Sequence, residues 1–181
     1  MTTHVLLVAA LRNPTVHLRY VAAREVLAAY GHDHLHPELP QLLGCARLSA
    51  PVVRHHPDEL AATFDTTARV ARTPFFFSSD ITAQARPIAV DGSRSLIGRG
   101  DHRAAVFRIV ATFARCHSIL AADAPELHAA CTPAFRAAVA DLGITSTDDL
   151  LRRAQDVGRF LPRLWRTTEK ILDRSAGGPT S

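Results

Sequence analysis

The sequence predicts an all-α protein, a helical bundle around a central helix at about residues 100–121. Three observations predict it. Between residues 91 and 120 the chain passes from a glycine-punctuated stretch (Gly92, Gly98, Gly100) into its most apolar helical pattern. There Val106, Ile109, Val110, Phe113, His117 and Leu120 recur at three- and four-residue steps, the spacing that lines one helix face. Phe107 and Ile119 widen that stripe, so only several neighbours can cover it. Narrower stripes of the same period stand on both sides in the chain. Finally, the one strand-like segment, RPIAVDGS, has no evident partner strand, and an isolated strand is unstable. It reads as an extended loop.

In order, His4 to Leu11 suits either a short strand or a frayed helix, ended by Pro14. Leu18, Val21, Ala22, Glu25, Val26 and Ala29 make a helical stripe with Gly31 as its C-terminal cap. After the polar turn HDHLHPELP, a short helix is expected over 38–43, stopped near Gly44. Ser49 is an N-cap with proline two positions on, Pro57 breaks the pattern, and a further helix is expected over 58–72. Phe75, Phe76 and Phe77 cannot all face one way, and Ser78, Ser79 and Asp80 offer a cap for a short turn. Beyond the central helix, Asp123 and Pro125 start another that Pro133 kinks or divides and Gly143 caps. Ser146, Thr147, Asp148 and Asp149 favour the start of the last helix, which is interrupted at Gly158 and Pro162.

The length of 181 residues suits one domain with a proper core. The expected division is an N-terminal extension at 1–14, a helical domain at 15–173 and a disordered tail at 174–181. No run of eighteen apolar residues exists, and the start, MTTHVLLVAALRNP, lacks a positive n-region. A cytoplasmic location without membrane attachment is the expectation. Cys45, Cys116 and Cys131 are an odd count without CxxC spacing, which argues against a disulfide framework or a zinc knuckle. The net charge is +4, and Lys170 is the only lysine among 21 basic residues. Arginine suits phosphate or carboxylate recognition, but the excess is too small and too spread to argue for nucleic acid by itself.

His32, His34 and His36, with Asp33, would share a side only if extended; between Gly31 and Pro37 they read as a solvated polar loop. Adjacent His55 and His56 read as surface residues, and His117 as a core histidine bonded to a neighbouring backbone group. The candidate ligand site is the stretch from Gly92 to Arg103 with the start of the central helix. Backbone amides at a helix N-terminus attract anions. Arg94, Arg99, Asp101, His102 and Arg103 surround that point, and Arg108 continues the basic side with Arg115 at a spacing of seven. The same arginines would also suit a purely structural ring, reaching water or pairing with Asp65, Asp80 and Asp91. No cofactor or metal is expected from these residues.

The run TPFFFSSDI, then RPIAVDGSRSLIGRGDHRAAVFRIVATFARC, then helices ending in LPRLW, resembles the helical C-terminal domain of bacterial nucleotidyltransferases of the kanamycin-nucleotidyltransferase type, over about residues 18–172. The resemblance implies a bundle that covers the acceptor-substrate side of a nucleotidyl-transfer site. In the catalytic domains of that family a Gly-Ser pair precedes two carboxylates that hold the metal ions. Here Gly92-Ser93 is followed by Asp101, but Arg103 stands where the second carboxylate belongs, so the catalytic half is read as absent.

The expected function is therefore a non-catalytic substrate- or partner-binding module. Its expected partner is a nucleotidyltransferase catalytic subunit or an anionic small molecule. One alternative is a small enzyme using Asp101 and His102 as acid–base groups on a phosphorylated or acidic substrate. Another is a nucleic-acid-binding module of a toxin–antitoxin pair, although Arg108 and Arg115 stand at the wrong distances from His117 for the nuclease motif of such modules.

Overall fold

The computed structural model describes residues 2–176. These are all-α: eight α-helices with short 3₁₀ and π turns and, among the described residues, no strand. They form two compact units, 2–46 with 146–176, and 47–145, the second inserted within the first. The expected boundaries at 14 and 173 fall inside the first unit.

In the first unit, α1 (Thr2–Ala9) resolves the ambiguous start as helix. Leu6 and Leu7 are among its most buried side chains, so the expected extension is part of a core. Leu11, not Pro14, closes α1: at φ 53° it is left-handed, and the Arg12 amide donates to the Leu7 carbonyl at 2.7 Å. Helix α2 (Arg19–Ala29) buries Ala22, Ala23, Val26 and Leu27, a stripe turned by one residue from the expected one. Gly31 (φ 74°) ends it as predicted, with the His32 amide reaching back to the Leu27 carbonyl. After α3 (Glu38–Leu43) the chain leaves, returning as α8 (Thr147–Ala176), 30 residues unbroken by Gly158 or Pro162. Phe160, Leu164 and Ile171 complete this unit's core, and Arg153 donates to the Gln41 and Leu42 carbonyls. The expected tail is helical as far as Ala176, and 177–181 lie outside the described residues.

The second unit holds α4 (Ala50–Val70), α5 (Gly92–Gly98), α6 (His102–Asp123) and α7 (Pro125–Asp141). Two expectations fail here. Pro57 does not break α4, where its ring is buried. RPIAVDGS is no extended loop but a π turn (Pro87–Asp91) running straight into α5. Helix α6 is central, packed by α4, α5 and α7. Its length and composition would suit a bilayer, but here the apolar face is core, with Ile109, Phe113, Cys116, Ile119 and Leu120 almost wholly buried. Val110, expected mid-stripe, sits at its margin and is half-buried. The Asp123 carboxylate pins the end of α6 to the residues after α4, accepting from the Arg72 and Thr73 amides at 2.6 and 3.0 Å and from the Thr73 hydroxyl at 2.6 Å.

Candidate anion-binding site

The stretch expected to be a basic loop is helical, and that disperses its side chains. Gly100 (φ 86°) takes the left-handed turn that lets α5 end and α6 begin within three residues; the Asp101 amide bonds the Leu96 carbonyl at 2.9 Å. Asp101 is the N-cap residue of α6, and Arg103 is exposed on the first turn. His102 is a strut: Nε2 lies 3.0 Å from the Leu48 carbonyl oxygen and Nδ1 3.2 Å from that of Gly100. A neutral ring can donate to only one of them. Arg94 donates to Asp58 at 2.8 Å and Asp91 at 3.1 Å, and these contacts, the Asp58 hydrogen bond foremost, raise its pKa above the ordinary arginine value. It borders a cavity of about 250 Å³ with Arg54, Pro57, Asp58, Ile97 and Gly98. Arg99 is exposed at the end of α5, without a side-chain hydrogen bond or ion pair among the described residues.

Arg108 is different. It stands about 140° around α6 from Arg103, at the edge of the buried face. It is only 5% exposed, and its Nε has no hydrogen-bond partner. One turn on, the Thr112 hydroxyl is likewise buried and unpartnered. Two turns on, Arg115 donates to Asp80 at 2.7 Å with its guanidinium over the Phe77 ring. Burial first, then the charge of Arg115, lowers the Arg108 pKa; Asp80 opposes them. An arginine stays protonated at neutral pH regardless. Two guanidinium charges therefore share one carboxylate, and that carboxylate bonds the other arginine. One positive charge is left over in a desolvated setting, beside a hydroxyl donor with nothing to donate to.

Such a group costs on the order of a few kcal/mol when unpaired, and an anion accepting from Arg108 and Thr112 would relieve it. The fork of a guanidinium matches two oxygens of a carboxylate or phosphate. The site was half legible. The seven-residue spacing named Arg108 and Arg115, and Asp80 was among the expected acids, but Thr112 was missed although it stands one turn from Arg108.

Other polar side chains of this unit pair with one another or pack on rings. Arg86 grips Asp65 at 2.7 and 3.0 Å. His56, expected at the surface, is buried and bonds Asp141 at 2.8 Å, tying α4 to α7. His117 has no backbone bond; its Nε2 is unpartnered and the ring stacks on Phe135 at 4.8 Å, with the His128 ring edge-on at 5.0 Å. In the first unit, His32, His34 and His36 lie on and beside a 3₁₀ turn, with His32 and His34 edge to face. Among the described residues no group of three His, Cys, Asp or Glu side chains is placed to hold a metal ion.

No protein-family model matches this chain, and neither a curated protein nor a solved structure matches it.

Proposed function

We propose that this chain is a non-catalytic helical binding module, similar in role to the substrate-side C-terminal domain of kanamycin-type nucleotidyltransferases. In this reading it holds an anionic group, of a small molecule or of a catalytic partner, at Arg108, Thr112 and Arg115. The observation that carries the reading is the buried Arg108, whose Nε has no hydrogen-bond partner, beside an unpartnered Thr112 hydroxyl. The groups gathered there are donors, and the one carboxylate, Asp80, is engaged by Arg115. They can bind and orient an anion; they offer no free base.

Thermal melts with inorganic phosphate and with acetate test it. At ten times its dissociation constant an anion adds about 1.4 kcal/mol of stability, a rise of roughly 7 °C for a unit of this size. Arg108→Met keeps an apolar stem and removes the charge, so without added anion it should melt at or above the native temperature. It should also lose the anion-dependent rise. A variant that melts far lower, with a native protein indifferent to both anions, would make Arg108 a structural residue and end this reading.

A further inference from the structure

Helix α8 carries two apolar seams, and the first unit uses one. Phe160, Leu164 and Ile171 face its core, while Leu150, Leu151, Leu161, Trp165 and Leu172 remain about half exposed along the neighbouring side. Leu151, Ala154, Gly158, Leu161, Trp165 and Leu172 follow one another at steps of three, four and seven residues, the spacing of a helix that pairs lengthwise with another. The exposed five offer on the order of 500 Å² per chain, so two copies face to face would cover on the order of 1,000 Å², the area at which specific interfaces begin.

We propose that this seam is a homodimer interface in which α8 pairs antiparallel with α8 of a second copy. The seam is self-complementary about a two-fold axis between residues 161 and 162. That pairing sets Leu151 against Leu172, Leu161 beside its own copy, and the large Trp165 against Gly158. A Cβ at Gly158 would meet nothing within 4 Å, so the notch is open. Parallel pairing would instead set tryptophan on tryptophan and glycine on glycine, a clash beside a hole. A second match concerns hydrogen bonds. Pro162 has no N–H, so the Gly158 carbonyl lacks its ordinary helical donor. The Trp165 indole N–H has no partner among the described residues. Across the axis each supplies what the other lacks, as a buried indole requires. This proposal is independent of the anion site.

Trp165 is the only tryptophan, so its emission reports this face directly. The experiment is sedimentation equilibrium and Trp165 emission of the full chain between about 1 and 200 μM, a range suited to an interface of modest size. Gly158→Glu is the key variant. Glutamate is the better helix former and enters open space, so the fold should be no less stable, while the notch is filled by a charge. The expected result is a mass that doubles with concentration, with emission shifting to the blue in step. Both changes should vanish in Gly158→Glu at an unreduced melting temperature. A native protein that stays monomeric overturns the proposal, as does a dimer that survives Gly158→Glu with Trp165 emission unchanged. A blue shift seen only with phosphatidylcholine–phosphatidylglycerol vesicles also overturns it and assigns the face to a lipid surface.

Discussion

His117 shows what burial does to a single ionisable group. Desolvation, and secondarily His128, lowers its pKa from the ordinary 6.5, so the unfolded chain takes up a proton that the native ring refuses. Stability is then full above about pH 6.5 and is lost as the pH falls through that value towards the depressed native pKa. His32 and His36 are shifted the same way, burial again first, and add to the loss. His117→Phe, which suits the layer of Phe113 and Phe135, should shrink the stability difference between about pH 5.5 and 7.5. Urea unfolding at both values measures it, and an unchanged difference would show that His117 does not titrate with folding. At this scale the sequence is a partial guide. The apolar face of His117 is visible in its spacing; the identity of its neighbours depends on α7 crossing α6. Arg108 is the sharper case, because the seven-residue step from Arg115 says they share a side and nothing about which of them is buried.

At the scale of elements, periodicity located the helices well and punctuation located their ends less well. Pro57 and Pro162 read as interruptions and Pro133 as a kink or a division, yet α4, α7 and α8 each run through theirs. A proline in a helix removes one bond and bends the axis, and packing on both sides can hold the two halves together. The converse error is Leu11, where no sequence signal marks a helix end and a branched side chain takes a left-handed conformation. That conformation costs roughly 1–2 kcal/mol in a residue with a Cβ, and Leu11 is 82% exposed, so little packing offsets it. Leu11→Gly should therefore raise stability by about 0.5–1 kcal/mol after the added freedom of glycine in the unfolded chain is counted. A thermal melt settles the sign, and a lower midpoint would mean that the exposed leucine contributes contacts of its own.

At the scale of the molecule, the all-α class was legible and the partition was not, because stripes reveal that a face is buried without revealing which helix buries it. The second unit is one continuous stretch, 47–145, containing α6 with the three helices packed on it and the Arg108 edge. Expressed alone, it should be helical by circular dichroism, melt cooperatively and keep the response to phosphate expected of the whole chain. A fragment without a melting transition would show that the inserted unit depends on the flanking one. The flanking unit has no such independence in time. Its α1, α2 and α3 are made first, but Phe160, Leu164 and Ile171 belong to a helix that begins a hundred residues after residue 46. At translation rates of about 5–20 residues per second, Leu6, Leu7 and Leu27 wait roughly 7–30 seconds at the ribosome exit for their last neighbours. During that interval the inserted unit can fold, and the nascent N-terminal segment is a ready client for a chaperone that holds apolar chains.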